Sequence, residues 1–461
     1  MLRKLIGNKA FYRSVIVVAL PILIQNGIAN FVSLLDNIMV GQVGQIPMSG
    51  VAIVNQLMFV FNLCVFGAIS GAGIFTAQFH GSADAEGVRY TFRFKVIIGM
   101  VVSAIGIAVF LLAGKGLISL YLTGEGNPQD AASILEFGWE YLLVMLFGLP
   151  AFALSNAYSG TLRESGQTLV PMVSSVTAVF VNLILNWILI FGHLGAPVLG
   201  VVGAAIATVI SRYVELAIVV SWTHINSGKM IFIQGAYRSL SIPMDLFWRI
   251  VRKGVPLLIN EAMWSIGMVV MNQCYSTRGL DVVPALNISS TLYNLSGVVY
   301  MATGNAVGII IGQMLGAGAD TDTVRDTDRK LLFTSVVSCL VFAGLMAGIS
   351  GIFPQIYDAT NEVRTLATWL ICIAALYMPF NAYVHSVYFT LRSGGQTMVT
   401  FLFDSCFVWV FCVPLAWLLS RFTDINILWL YFICQSTDLI KCIIGTWMLK
   451  QGKWIQNLTN K

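Results

Sequence analysis

Three carboxylates, Asp36, Glu261 and Asp404, stand inside long apolar stretches of a 461-residue chain. A charged side chain at mid-bilayer costs roughly 2.5–3.5 kcal/mol on insertion scales. Three of them would offset much of a net stability of about 5–15 kcal/mol, so each needs a reason. The structural reason is a helix–helix hydrogen bond or an ion pair. The chemical reason is a site neutralised in turn by a proton, a metal cation or a cationic organic molecule. Asparagines suit such a site, because the amide oxygen can help ligate sodium while the amide nitrogen holds a carboxylate. Asn182, Asn186 and Asn381 are the candidates of that type. His385 is a candidate proton carrier because imidazole titrates near neutrality; its plainer role is that of a hydrogen-bonded packing residue.

The elements that must position these groups are membrane spans. The chain is 57% hydrophobic and 10% charged, against roughly 45–50% and 25% in soluble domains, which excludes a water-soluble fold. Crossing about 30 Å of hydrocarbon takes about 20 apolar residues as helix. Twelve such runs lie near 14–41, 50–79, 92–113, 133–160, 168–191, 200–222, 246–276, 285–316, 330–352, 363–391, 397–419 and 426–449. The N-terminus is basic (Arg3, Lys4, Lys9, Arg13), but the following run is too long for a signal peptide and reads as a retained first span. The eight cysteines fall inside the runs without metal or disulfide spacing.

The net charge of +5 is a matter of topology rather than of a nucleic-acid partner. With the N-terminus inside, the outer loops hold Lys115, Arg278, Arg364 and Arg421, Arg212 and Lys441 fall deep within spans, and the other 20 of the 26 Lys and Arg residues lie in cytoplasmic segments or at the cytoplasmic ends of spans. That bias places both termini in the cytoplasm, in the cell (plasma) membrane.

The two halves repeat. An offset of 235 carries Pro21, Ile53, Gly73, Gln78 and Gly81 onto Pro256, Ile288, Gly308, Gln313 and Gly316. An offset of 229 carries Pro150, Thr161, Arg163 and Gln167 onto Pro379, Thr390, Arg392 and Gln396. Six spans per half is an even number, so the halves enter the membrane in one sense and are related by an axis along its normal. The expected fold is therefore all-α and integral to the membrane, with twelve helices in two six-helix lobes under pseudo-twofold symmetry. The N-lobe is 1–222, a cytoplasmic linker covers 223–245 and the C-lobe is 246–461. The linker is the expected hinge, and Phe247, Trp248 and Arg249 after it read as an interfacial helix. Depth along the helices brings Asp36, Asn182 and Asn186 together in the outer half of the N-lobe. It brings Glu261, Asp404, Asn381 and His385 together in the inner half of the C-lobe.

Several segments are similar to those of one transporter family. ALPILIQNGIANFVSLLDNIMVGQVG (19 to 44), with Asp36, resembles the first helix of MATE (multidrug and toxic compound extrusion) transporters of the bacterial NorM/DinF-like kind. TLRESGQTLVPM (161 to 172) resembles their loop between helices four and five, and 182 to 212 their helices five and six. Asn182 and Asn186 stand where the family has polar residues facing the helix-one aspartate, and Glu261 where sodium-coupled and eukaryotic members have a glutamate. Where sodium-coupled members have an aspartate in helix ten, this chain offers Asn381 and His385. The resemblance implies an inverted-V fold and export of cationic or amphipathic small molecules by alternating access, in exchange for sodium or protons. Sodium would bind at Glu261 or Asp36, and no cofactor is implied.

Arg212 with Glu215 and Asp438 with Lys441 sit i, i+3 in corresponding helices and read as self-neutralising pairs. Pro21, Pro150, Pro171, Pro256, Pro379 and Pro414 lie inside or at the start of spans, where proline bends a helix, and glycines at 67 to 73 and 304 to 312 let helices approach. No serine elbow or H-E-x-x-H motif supports an enzyme. A flippase for a lipid-linked substrate is the alternative, although the N-lobe motifs are acidic or neutral where a pyrophosphate would want a basic cavity. The protein is expected to act as a monomer with lipid and small molecules as its partners.

Overall fold

The computed structural model describes residues 5–122, 128–357 and 359–459; Arg3, Lys4 and Lys461, counted above as cytoplasmic, lie outside them. Hydrocarbon offers no partner for backbone polar groups, so each span must satisfy its own. Accordingly the described residues form helices and no strand. The first repeat runs α1 (Lys9–Gly41), α2 (Gln45–Gly81), α3 (Ala85–Tyr121), α4 (Pro128–Met145), α5 (Gly148–Glu164), α6 (Leu169–Phe191) and α7 (Gly200–Ile225). The second runs α8 (Met244–Ser276), α9 (Val282–Gly316), α10 (Thr321–Ile349), α11 (Asn361–Ser393), α12 (Thr397–Phe401), α13 (Val413–Phe422) and α14 (Ile427–Gln451).

Eleven stretches among the described residues are long and apolar enough to span a bilayer, and twelve if α4 and α5, bent by 48° at their break, make one. The expected span 133–160 is thus broken. Pro150 sits in the first turn of α5, where its missing N–H leaves no helical bond unmade. The eleventh expected span is also irregular: π turns at Leu402–Cys406 and Val408–Cys412 separate α12 from α13. Asp404 lies inside the first of them.

The chain packs as two compact units: Met1–Leu23 with Ala77–Ala83 and Val255–Lys461, and Ile24–Thr76 with Asp84–Gly254. In the second, α5 packs on α3 and α7, and α7 on α4 and α6; in the first, α11 packs on α9, α10 and α14. The repeat shows within the first unit. A Cβ on Gly81 would lie 2.0 Å from the Gln313 carbonyl, and one on Gly316 would lie 1.8 Å from that of Gln78. These are the residues that the offset of 235 exchanges, so a reciprocal crossing of α2 and α9 explains why both positions are glycine.

The connection expected as a hinge is packed down. Arg93 donates to the carbonyls of Ala236 (2.8 Å), Gly235 (2.9 Å) and Ser241 (3.0 Å). The Phe92 ring meets Tyr158 at 4.9 Å and Phe232 at 5.4 Å, and the Tyr158 and Tyr237 hydroxyls pair. Residues 231–241 are therefore part of the second unit. The chain passes between units four times: at Leu23/Ile24 inside α1 and Gly254/Val255 inside α8, beside the repeat-related Pro21 and Pro256, and at Thr76/Ala77 inside α2 and Ala83/Asp84 just before α3. Phe247, Trp248 and Arg249 belong to the first turns of α8 rather than to a separate interfacial helix.

Candidate functional site

In α6 the buried residues are Pro171, Ser174, Ala178, Asn182, Asn186 and Ile190, spaced three or four apart as one face of a helix. Both asparagines therefore turn inward with the small residues. Asn186 donates to Asp36 Oδ1 at 2.7 Å. The Asn182 amide is best satisfied with its nitrogen toward Asp36, 3.0 Å from Oδ1 and 2.9 Å from Oδ2, and its oxygen toward Thr208 Oγ1 at 3.2 Å. Asn182 and Asn186 are buried and Asp36 half-buried. Asn186 Oδ1 is buried and accepts from no described residue. This cluster offers oxygens from a carboxylate, an amide and a hydroxyl, the donor set of a hard cation, and no basic side chain pairs with Asp36 among the described residues.

The second cluster is built differently. Asp404 accepts from Lys441 Nζ at 3.1 Å and from Asn260 Nδ2 at 3.1 Å. Asn260 is itself buried and takes the Ser405 hydroxyl on its side-chain oxygen at 2.7 Å. The ion pair expected between Asp438 and Lys441 is replaced by this one between helices, with Asp438 in the field of both Lys441 and Asp404. Arg212 and Glu215 do pair, at 3.5 Å.

Glu261 is half-buried, within electrostatic reach of Arg392 and Asp404. His385 feels the same two charges, but its ring packs on Tyr300 at 5.3 Å and Phe389 at 5.1 Å. Gly304 leaves room for it: a Cβ there would stand 2.7 Å from the imidazole. Asn381 donates to the carbonyl of Tyr377 in its own helix at 3.2 Å and lies beside Asp438. The second cluster thus gathers Asp404, Asp438, Lys441, Asn260 and Asn381, with Glu261 and His385 joined to it through charge.

Sequence reasoning missed Asn260, whose only mark is its place beside Glu261. It also missed a buried pair between Lys95 and Glu164, which Thr161 joins by accepting from Lys95 at 3.2 Å. The signal was available: Thr161, Leu162 and Arg163 belong to the repeated motif, and Lys95 falls on the inward face of α3.

The family model MatE matches residues 21–188 and 256–418, one segment in each repeat. The probable multidrug resistance protein NorM of Thermotoga maritima is 24% identical over 455 residues, covering 96% of this chain and 93% of the relative. That of Pasteurella multocida is 26% identical over 90% of this chain and 87% of its own. A solved outward-facing multidrug resistance MATE family transporter of the MOP superfamily superposes with a TM-score of 0.86 at 18% identity, over 98% of both chains. A MOP superfamily transporter from Pyrococcus furiosus, described as having a binding pocket of reverse polarity, superposes with a TM-score of 0.82 at 16% identity, over 98% of both.

Proposed function

Because this chain belongs to the MatE family of multidrug efflux transporters, we propose that it is a secondary active antiporter, exporting cationic or amphipathic organic molecules in exchange for sodium or protons. It acts in the plasma membrane with both termini cytoplasmic, as the bias of Lys and Arg supports.

The observation that carries this reading is the Asp36 cluster. A carboxylate in a span is held by two neutral amides and has no ion-pair partner among the described residues. Its amide donors stabilise the ionised form, and its net charge attracts one monovalent cation. Sodium would add the orphan Asn186 oxygen to the Asp36 oxygens. A proton on Asp36 would make the group a donor, which an amide turned over can accept. Either event removes the charge, and the two halves of a transport cycle then differ by whether Asp36 is neutral. Glu261, on α8, supplies a second carboxylate for the organic cation or the coupling ion. Alternating access follows if the crossings beside Pro21 and Pro256 bend, since proline frees a carbonyl and weakens the helix there.

Purified protein in proteoliposomes, with sodium and proton gradients imposed separately, tests the proposal. An outward flux of a cationic dye such as ethidium, driven by one of the gradients and matched by counter-flow of that ion, is expected. Dye flux indifferent to both gradients would overturn the antiport reading.

A further inference from the structure

Asp84 and Asp320 cap the N-termini of α3 and α10 in the same way, each accepting from the N–H groups two and three residues on. Their offset of 236 pairs Arg89 with Arg325 and Arg93 with Arg329. In the first repeat these arginines are satisfied by the chain itself. Arg89 donates to the carbonyl of Phe232 at 3.3 Å, and Arg93 to three carbonyls of the segment that follows.

In the second repeat the corresponding arginines line a cavity of about 380 Å³, within the roughly 300–1,000 Å³ of ligand sites. Lys450, in the last turn of α14, lines it too. Among the described residues none of the three forms an ion pair, and the buried Arg325 Nε has no acceptor. The one acid in the lining, Asp328, is buried, accepts from the Thr390 hydroxyl at 2.6 Å and lies in the field of Arg329. Away from the cations the wall is mostly apolar, Leu332, Val336 and Leu449 standing beside Tyr383 and Thr446, whose hydroxyls bond each other. From Arg325 to Val336 the helix descends about 16 Å at 1.5 Å per residue, from the interface well into the hydrocarbon.

We propose that this cavity holds an anionic phospholipid of the cytoplasmic leaflet, its phosphate bound by Arg325, Arg329 and Lys450 and the upper part of one acyl chain laid along Leu332 and Val336. The phosphate oxygens do for this repeat what the carbonyls at 232 to 241 do for the other. A free phosphate would satisfy the cations but leave the apolar wall uncovered, and a neutral lipid would bring no net charge to them. The choice of leaflet rests on the orientation proposed above; the site and its chemistry do not. Basic pockets between membrane helices on the cytoplasmic side commonly take such headgroups.

The test compares purified protein titrated with dioleoyl phosphatidylglycerol, dioleoyl phosphatidylcholine, glycerol 3-phosphate and inorganic phosphate, without ion gradient or drug. Readouts are lipid retained in native mass spectrometry and melting temperature. Phosphatidylglycerol should be retained at least tenfold over phosphatidylcholine and raise the melting temperature. Substituting Arg325→Gln, Arg329→Gln and Lys450→Gln together should abolish that preference. Val336→Trp, which fills the cavity and keeps the charge, should also lower retention and serves if the triple variant fails to fold. Equal retention of the two lipids, full retention in both variants, or an equal melting shift from either soluble phosphate would overturn the proposal. Because no transport is measured, failure here leaves the antiport reading standing, and failure of coupled flux leaves this site standing.

Discussion

Asp36 and Asp404 are both carboxylates in spans, and each accepts from an asparagine amide in a neighbouring helix. They differ in what balances the charge. Lys441 sits 3.1 Å from Asp404, so that pair is neutral as built, and an incoming cation would have to displace an ammonium held by the fold. Among the described residues Asp36 has amide dipoles and no ion-pair partner, and dipoles orient toward the carboxylate without cancelling it. Dipoles lower the cost of keeping an ion in the membrane; a fixed counter-ion removes the reason for a mobile one to bind. On the reading proposed above, this difference makes the first region the one for exchange and the second one for cohesion, with Glu261 and Asp438 as further acids beside the Asp404–Lys441 pair.

The sharpest way to break this comparison is Asp36→Asn. The amide keeps the shape and part of the hydrogen bonding, so the protein should reach the membrane and run as a single species on size exclusion. Coupled export should fall to the level of empty vesicles. Undiminished dependence on the ion gradient would make Asp36 a structural hydrogen-bonding residue.

Glu261→Gln should come next, with insertion intact and coupled export lost or reduced at least tenfold. Wild-type rates in proteoliposomes would remove Glu261 from the site.

Lys441→Met tests the other side of the comparison and is read as stability. Leaving Asp404 as an uncompensated charge should cost about 3–5 kcal/mol, measured by thermal unfolding in detergent. Adding Asp404→Asn should recover most of the loss, because the orphaned charge goes with it. If the double variant is no more stable than the single, the pair is not what Lys441 contributes.

Asn186→Ala should have the smallest effect. It removes one hydrogen bond to a charged group, worth about 1.5–3 kcal/mol, and should weaken the coupling ion's apparent affinity about tenfold or more while the maximal rate changes less. Unchanged ion dependence would show that Asn182 alone holds Asp36.

Much of this could be read without coordinates. Apolar runs, the placement of Lys and Arg, and the internal repeat depend only on neighbours along the chain and on the thickness of the bilayer. Asp36, Asn182 and Asn186 were also within reach, because depth along a helix follows from residue count, and two groups four apart share a face. The packing of the linker was out of reach for an equally physical reason. A polar stretch without periodicity reads as free, yet its carbonyls are the acceptors that Arg89 and Arg93 require, and no local pattern announces a partner some 140 residues away.

The sequence by itself therefore determined that the chain has about a dozen membrane-spanning stretches in two related halves, with acids inside them. Only the tertiary structure decided which acid is neutralised. Lys441 lies three residues from Asp438 and 37 from Asp404, and spacing favoured the nearer. The ammonium instead meets Asp404 because α14 packs beside the π turns, whose widened backbone places that carboxylate between Asn260 and Lys441. Helical periodicity fixes which way a side chain leaves its own helix; what it meets there is set by the packing of other helices.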